Sequence, residues 1–307
     1  MAGGAYKVEK VQFDDGTMWD MALLGSAAIM GTAAANTLSG SANADLIQGL
    51  EGNDTLSGNA GNDIMQGDAD NDTISDTSGN NIFDGGAGID ILTGGSGKEL
   101  FIGGAANDTI TTGLGADIIA FNRGDGQDIV NASTGADNTL SLGGGIRYTD
   151  LSFSKSANDL ILGLGNAEQI TLKNWYATSA NNKSVLNLQM IAEAMADFDS
   201  TSSDPLRNNK VETFNFGGLA DRFDQARGAD PSLTSWSLTN ALLDFHLGGS
   251  DTEALGGDLA YQYGKTGTLA GLGVTPVQSV LGHAQFGTTP QALQPLATLQ
   301  EGLAKLG

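Results

Sequence analysis

The sequence predicts an α+β chain of several domains: a right-handed parallel β-roll with two nonapeptides per coil, capped by antiparallel β-strands and followed by an α-helical domain. Three observations predict it. A nine-residue repeat runs in one phase through residues 31–120, alternating apolar residues follow it, and helix-start signals follow those. The predicted domains are a hairpin cap (1–30), the roll (31–131), an antiparallel cap (132–184), a helix and linker (185–210) and the α-helical C-terminal domain (211–307).

Each of the ten repeat units places an oxygen-bearing side chain at its sixth position and an apolar side chain at its eighth. The first half, GxxGxD, suits a tight turn, because glycines are costly inside a helix or a long strand. The second half is a short strand whose middle, apolar residue faces inward. Two turns and two strands close one coil, and coils must stack because a single coil buries little surface.

Charge in the repeats predicts bound cations. Residues 31–120 hold thirteen acidic side chains and one basic side chain, Lys98, a net charge of −12. Two carboxylates ~5 Å apart repel by ~3 kcal/mol at an effective dielectric near 20, so stacked turns need a counter-charge. Ca²⁺ suits a cage of carboxylate and carbonyl oxygens, whereas Mg²⁺ demands stricter octahedral geometry. The chain has no Cys, and its two histidines lie outside the repeats, which excludes a zinc or soft-metal site there.

We predict calcium ligands at the sixth positions and among the turn carbonyls. The predicted side-chain ligands are Asn36, Asp45, Asp54, Asp63, Asp72, Asn81, Asp90, Glu99, Asp108, Asp117 and, from a modified eleventh unit after a slip at 121–122, Asp128. The predicted carbonyl ligands belong to turn glycines such as Gly49, Gly52, Gly58, Gly61, Gly85, Gly88 and Gly103. Four acidic residues off the sixth position are expected to be solvated, although Asp70 could add an oxygen: Asp68, Asp70, Asp76 and Asp84.

Units one coil apart share an edge of the roll. The first edge then carries Asn36, Asp54, Asp72, Asp90 and Asp108, and we expect calcium along it from Asp54 to Asp108. The second edge carries Asp45, Asp63, Asn81, Glu99 and Asp117. The charge lost at Asn81 and the longer side chain of Glu99, beside Lys98, predict a weak or empty calcium site in that interval.

Beyond the repeats, alternation gives way to helical spacing. Apolar pairs at 151 and 153, 160 and 162, and 170 and 172 predict an antiparallel meander that closes the open end of the roll. Trp19 and Trp175 are expected to be core aromatics of the caps. From about residue 185 the composition favours helices, with starts near residues 218, 234, 250, 275 and 289.

The repeat has the pattern glycine-glycine-x-glycine-x-aspartate-x-apolar-x and resembles the RTX (haemolysin-type calcium-binding) family. The segments YKVEKVQFDDGTMW and DLILGLGNAEQITLKNWY resemble the haemolysin-type calcium-binding related module, which suggests a piece of a longer array. The segment WSLTNALLDFHLGGSDTEALGGDLAYQYGKTGTLAG resembles C-terminal regions of large secreted Frp-type RTX proteins. The resemblance implies calcium as the cofactor and the type I secretion machinery as a partner, with a secretion signal that we place within 292–306.

Composition narrows the function further. The net charge of −22 argues against nucleic acid and anionic membrane surfaces as partners, and no apolar run reaches the ~18 residues that span a bilayer. The chain has no GxSxG, HExxH or Cys nucleophile. His246 and His283 fall in predicted helices, where a lone His is usually a packed or surface residue. We therefore expect no enzyme activity. The resemblance to RTX proteins implies a secreted or cell-surface location.

The preferred hypothesis is a calcium-binding module of a large type I-secreted protein, unfolded at low cytosolic calcium and folded outside the cell. The alternative is the rigid spacer and partner-binding part of an adhesin or surface-layer protein, with a cell surface or polysaccharide as its partner. A weaker alternative is calcium-dependent self-processing at an Asp-Pro bond, Asp204-Pro205 or Asp230-Pro231.

Overall fold

Two large sheets and a few helices make up this computed structural model, which describes residues 10–12, 18–20, 28–131, 133, 137–178 and 183–307. The strands are β1 (Lys10–Gln12), β2 (Met18–Asp20), β3 (Ile29–Met30), β4 (Thr37–Ser39), β5 (Leu46–Leu50), β6 (Thr55–Ser57), β7 (Ile64–Asp68), β8 (Thr73–Ser75), β9 (Ile82–Ala87), β10 (Ile91–Thr93), β11 (Leu100–Ala105), β12 (Thr109–Thr111), β13 (Ile118–Phe121), β14 (Gln127–Val130), β15 (Asn138–Leu142), β16 (Ser152–Ser156), β17 (Asp159–Gly163), β18 (Gln169–Leu172), β19 (Val185–Met190), β20 (Val211–Asn215), β21 (Ser235–Ser237), β22 (His246–Ser250), β23 (Glu253–Ala254) and β24 (Gln291–Ala292). The α-helices are α1 (Phe216–Ala229), α2 (Gly257–Thr266), α3 (Val274–Leu281) and α4 (Leu296–Leu299). Short 3₁₀ helices span Tyr148–Asp150, Ala192–Ala194, Leu238–Asn240 and Leu242–Phe245.

The repeats form two parallel sheets whose strands alternate along the chain. Sheet A has the order β4-β6-β8-β10-β12-β14-β18-β17-β16-β21, and sheet B the order β3-β5-β7-β9-β11-β13-β15-β19-β20-β22. Leu56 pairs with Ile74, and Ile74 with Leu92, in parallel. Each step of this register is 18 residues, two repeat units. The predicted parallel roll with two nonapeptides per coil is therefore confirmed.

Eighth-position side chains fill the space between the sheets. Ile47 of β5 and Leu56 of β6 are fully buried in one cluster that continues along the roll. In its middle, Phe83 and Phe101 stack with 5.0 Å between ring centroids. Burying one such side chain contributes about 1.5–3 kcal/mol, so the roll gains its stability from stacked coils.

The roll continues beyond the ten regular units. Ile110 pairs with Val130 and Ile119 with Leu140, in parallel. The steps are 20 and 21 residues there, so the extra residues lengthen the coils without ending the roll. β18 and β19 then extend both sheets in parallel.

An antiparallel cap follows, as predicted. β16, β17 and β18 form a meander, with Phe153 opposite Leu162. α1 closes this end, where the Phe216 ring packs against Phe153 and Trp175 at centroid distances of 5.4 and 5.5 Å. Trp175 is buried, as expected for a cap aromatic, whereas the side chain of Trp19 lies outside the described residues. β1 and β2 pair antiparallel, as the predicted hairpin requires.

Part of the helical prediction is wrong. Residues 185–190 form strand β19, which lies between β15 and β20. His246, expected in a helix, begins β22. Both segments pair with neighbouring strands of sheet B, and in residues 186–190 the alternation of apolar and polar residues also fits a strand. The helix starts predicted near residues 234, 250 and 289 likewise fall on or beside strands.

The C-terminal helices cover the outer face of sheet B. α1 and α3 begin close to the predicted starts at 218 and 275. Leu259 of α2 and Val277 of α3 are fully buried in one cluster with Ile82 and Leu100, which point outward from the sheet. The chain from residue 211 onward thus adds strands to both sheets and a covering layer to one of them. No helix in the described ranges has the length and apolar character needed to cross a membrane.

Candidate metal centres

Sixth-position side chains form an unbroken ladder on the first edge, where the chain turns from sheet B to sheet A. From Asp54 onward, the Oδ1 atom of each residue accepts a hydrogen bond from the main-chain N–H of its counterpart one coil earlier, at 2.6–2.9 Å. The residues of this ladder are Asn36, Asp54, Asp72, Asp90, Asp108 and Asp128. The structure therefore brings every predicted ligand of this edge into one line.

The second oxygen of these carboxylates lacks a hydrogen-bond donor. The Oδ2 atoms of Asp54, Asp72, Asp90 and Asp108 are buried and accept no hydrogen bond. Leaving a buried polar group unsatisfied costs about 1–3 kcal/mol, and more for a charged group. Along the first edge, each of these four carboxylates therefore lacks a hydrogen-bond donor or a positive charge beside its Oδ2 atom.

In Asp54, Asp72 and Asp90, this oxygen faces a turn glycine and a carbonyl oxygen of the next coil. A Cβ atom on Gly85 would lie 2.4 Å from Asp90 Oδ2 and 2.4 Å from the carbonyl oxygen of Gly103. The same arrangement recurs at Gly49 and Gly67, with distances of 2.3–2.8 Å. Only glycine leaves room at this point, and oxygens that converge on one small space suit a hard cation.

First-position glycines supply these carbonyl groups. Of the predicted carbonyl ligands, the structure places those of Gly49, Gly58, Gly85 and Gly103 beside a sixth-position oxygen. The fourth-position glycines differ: the Gly61 carbonyl faces Gly79, and the close contacts of Gly52 and Gly88 are with the backbone of the preceding coil. Gly67 begins its unit as these four do, and its carbonyl oxygen likewise lies beside a sixth-position oxygen, Asp54 Oδ2.

On the second edge the ladder is interrupted. The Asp45 N–H donates to Asp63 Oδ1 at 2.7 Å, and the Asp63 N–H donates to Asn81 Oδ1 at 2.8 Å. The next link is missing, because both carboxylate oxygens of Glu99 are buried without a partner. The ladder resumes where the Glu99 N–H donates to Asp117 Oδ1 at 3.0 Å. The break lies in the Asn81–Glu99 interval, where the sequence predicts a weak or empty calcium site.

The first coil uses its oxygens locally. Asp45 Oδ2 accepts hydrogen bonds from the N–H and the hydroxyl of Ser41, at 2.6 and 2.9 Å. Asn36 Oδ1 accepts one from the Thr32 N–H at 2.6 Å. The oxygens of these two predicted ligands are therefore already hydrogen-bonded within the chain, unlike the Oδ2 atoms of the inner coils.

Two edge residues were not among the predicted ligands. The Asp117 N–H donates to Asn138 Oδ1 at 3.0 Å, so Asn138 continues the second ladder. The tetrapeptide NTLS, which occurs at 36–39 and again at 138–141, is a sequence signal for this position.

Asp76 was expected to be solvated but is only 5% exposed, because its main chain lies inside the second edge. Asp68 and Asp84 are half-buried, and Asp70 is exposed as expected.

Burial raises the pKa of the ladder carboxyl groups. The pKa is about 7 for Asp72 and Asp108 and about 8 for Asp128, and carboxylates of neighbouring coils add to the shift. Burial, followed by the charge of Asp117, also raises the pKa of Glu99. An ionised stack is therefore costly at neutral pH unless a counter-charge is present.

The free side-chain atoms that could bind a metal ion along the two edges are carboxylate oxygens. Among the residues that the structure describes, no group of three or more His, Asp or Glu side chains could hold a metal ion. A first-edge site must therefore combine a carboxylate with main-chain carbonyl oxygens, a set that suits calcium and not zinc.

Comparisons with known families agree with this geometry. Residues 30–65, 57–92 and 93–128 match the RTX calcium-binding nonapeptide repeat (4 copies), and residues 2–22 match the haemolysin-type calcium binding protein related domain. The chain carries RTX repeats, and these bind calcium ions. β-rolls built from RTX repeats are typically structural. The resemblances of residues 159–176 to the related module, and of the C-terminal segment to Frp-type proteins, stay predictions.

One solved structure similar to this chain is the extracellular lipase LipA from Serratia marcescens. The identity is 16% and the TM-score is 0.29, over 52% of this chain and 40% of the lipase chain. The chain thus spans less than half of the lipase. No curated protein sequence matches the chain.

The residues considered for catalysis are engaged in local structure. His246 Nε2 lies 2.7 Å from Oε2 of the buried Glu212, and His283 Nδ1 accepts a hydrogen bond from the N–H of residue 285. The carboxylates of Asp204 and Asp230, each followed by a proline, accept hydrogen bonds within their own turns. These contacts give no support to catalysis or self-cleavage.

Proposed function

We propose that this chain is a calcium-folded module of a large extracellular protein that type I secretion machinery exports, expanded at low cytosolic calcium and folded outside the cell. The observation that supports it most is the line of buried carboxylate oxygens without donors along both edges. Extracellular calcium sites have dissociation constants of about 10⁻⁴–10⁻³ M, far above the cytosolic calcium level. Binding of this strength would supply folding free energy only outside the cell.

The two oxygens of each ladder carboxylate have different roles in this proposal. Oδ1 of Asp90 accepts the main-chain N–H of Asp72 at 2.7 Å, which fixes the turn and the orientation of the side chain. Oδ2 then faces the Gly103 carbonyl across the space left by Gly85. Asp54 and Asp72 would act in the same way, and a bound Ca²⁺ would supply the positive charge that this edge lacks. We propose no catalytic role for any residue.

Calcium removal tests the proposal. We expect the whole chain to lose β-structure by circular dichroism in chelator and to recover it steeply on addition of millimolar calcium but not magnesium. Asp90→Asn keeps the oxygen that accepts the Asp72 N–H and removes the free carboxylate oxygen, so it should raise the calcium midpoint. Glu51→Gln, at an exposed turn residue, removes the same charge and should leave the midpoint unchanged. A chelated chain with the full β-signal would refute the proposal.

One observation favours the spacer and adhesin alternative. The outer face of sheet A carries Thr37, Thr55 and Thr73 in register, and all three are exposed. A rigid, flat and polar face of this kind offers a surface for a polysaccharide or cell-envelope partner. Calcium-dependent retention on a polysaccharide column would favour that role.

A further inference from the structure

The sixth repeat unit begins with Asp76 where most units begin with glycine. Its main chain keeps the position of those glycines. The Asp76 N–H donates to the carbonyl of residue 93 at 3.1 Å, as the N–H groups of Gly58 and Gly94 donate to residues 75 and 111. Asp76 therefore stands in the second edge one coil after Gly58.

The Asp76 side chain points back toward the preceding coil. Its Oδ1 atom accepts hydrogen bonds from the N–H groups of Thr77 and Ser78. Its Oδ2 atom is buried and has no hydrogen-bond partner, like Oδ2 of Asp63. A Cβ atom on Gly58 would lie 2.2 Å from Asp76 Oδ2 and 2.4 Å from Asp63 Oδ2. Two unpartnered carboxylate oxygens thus face one point, on residues that are 5% and 0% exposed.

The equivalent point one coil earlier has a different composition. A Cβ atom on Gly40 would meet one carboxylate oxygen, Asp45 Oδ2 at 2.9 Å, and the Gly58 carbonyl oxygen at 2.6 Å. The Asp45 oxygen already has Ser41 as a donor. The site beside Gly58 therefore carries one carboxylate more than its neighbour and none of the neighbour's donors.

The same unit lacks a carboxylate at its sixth position. Asn81 uses Oδ1 to accept the Asp63 N–H, and its Nδ2 donates to the Gly79 carbonyl at 3.3 Å. An amide nitrogen is not a calcium ligand, so Asn81 offers no free oxygen toward the next coil. In this unit the carboxylate therefore stands at the first position, Asp76, and not at the sixth, Asn81. It faces Asp63 of the preceding coil and not the coil that follows.

We propose that Asp76 is a calcium ligand, and that Asp63 and Asp76 together form the tightest calcium site of the second edge. Charge count on the ligands is a main determinant of calcium affinity, and this site has two carboxylates where a regular one has one. In exchange, the sixth position of this unit, Asn81, contributes no carboxylate to the interval between Asn81 and Glu99. This inference rests on the proposed function, because it requires that the roll binds calcium.

Isothermal titration of the whole chain with CaCl₂ tests the assignment. We expect Asp76→Asn to weaken the tightest class of calcium sites about tenfold or more, because one of two charged ligands is lost. Glu51→Gln, which removes an exposed charge from the roll, should titrate like the unchanged chain. Equal titrations for Asp76→Asn and the unchanged chain would overturn the role of Asp76 and leave the proposed function intact.

A second variant covers the case in which Asn at this position impairs folding. Asp76→Gly restores the glycine of the regular repeat, so it should fold in saturating calcium, by circular dichroism, and still lose the tight class. If Asp76→Gly keeps that class, the effect of Asn is steric and the proposal is wrong. If the unchanged chain binds no calcium, the proposed function fails together with this inference.

Discussion

The sixth-position carboxylate does two separable things at the scale of one residue. One oxygen caps a main-chain N–H of the previous coil, and the other is left for a ligand outside the chain. Asn81 and Asn138 show the separation, because each accepts the ladder hydrogen bond through Oδ1 while its Nδ2 donates to a nearby protein oxygen. Asparagine can therefore maintain the roll at a position where it provides no free carboxylate oxygen. The sequence predicts which residues share an edge, but only the coordinates show which oxygen is free.

The raised pKa values predict that acid stabilises the calcium-free chain. Burial raises the pKa of Asp72 and Asp108 to about 7 and that of Asp128 to about 8, above the unfolded value near 4. The folded state then binds more protons, so this stabilisation is full below pH ~4 and is lost as the pH rises through 7 to 8. Circular dichroism in chelator should therefore show more β-structure at pH 5 than at pH 8.

Calcium should reverse this dependence. Its ligands must be ionised, so binding displaces protons and the calcium midpoint should fall as the pH rises from 5 to 8. Thermal melts in saturating calcium serve as the control, and the melting temperature should not fall between pH 5 and pH 8. A calcium-free chain that is equally stable at pH 5 and pH 8 would contradict the role assigned to these carboxyl groups.

At the scale of the elements, the repeat also encodes which sheet is covered. The seventh position points outward and alternates by sheet. In sheet B it is apolar and buried: Leu46, Ile64, Ile82, Leu100 and Ile118. In sheet A it is mostly threonine: Thr37, Thr55, Thr73, Ile91 and Thr109. This alternation is visible in the sequence and predicts a covering layer on one face, although only the sixth and eighth positions entered the prediction.

Other elements could not be derived in this way. Residues 185–190 read VLNLQM, and from Leu186 to Met190 apolar and polar residues alternate, which is a strand signal that the prediction of helices from residue 185 did not use. They pair with β15 in parallel and with β20 antiparallel, and no nine-residue repeat sets the register of these two pairings. The roll could be predicted because every coil repeats the same turns and strands. The cap was harder to predict because each of its contacts occurs once.

Two isoleucines at the same repeat position allow a matched test of the covering layer. Ile82 in sheet B is 1% exposed and Ile91 in sheet A is 49% exposed. Ile82→Thr buries a hydroxyl and loses apolar contact with the helices, so it should lower the free energy of unfolding in calcium by about 2 kcal/mol. Ile91→Thr matches its neighbours Thr73 and Thr109 and should change that free energy by less than about 0.5 kcal/mol. Urea titrations in calcium measure both values, and equal effects would show that the helices do not protect sheet B in solution.

At the scale of the whole molecule, the C-terminal helices are tied to the candidate metal edge. Lys98 Nζ donates to the Ala284 carbonyl at 2.6 Å, and Asn80 Nδ2 donates to the Leu281 carbonyl at 2.7 Å. Lys98 and Asn80 directly precede the second-edge residues at 99 and 81. The segment that we propose as the export signal, 292–306, contributes buried side chains to the same outer core, among them Leu299. Folding of the roll would therefore also sequester this segment.

This arrangement predicts one cooperative unit. Because α2 and α3 pack on sheet B and form hydrogen bonds to its edge turns, they have no separate core to retain when the roll expands. In hydrogen exchange, their amides should lose protection together with those of β7, β9 and β11 when calcium is chelated. Leu259→Ala in saturating calcium is the control: it should weaken protection in α2 and α3 while β6 and β8 of sheet A stay protected. Protection that persists in α2 and α3 after chelation would mean that they form an independent domain, and that calcium governs the roll alone.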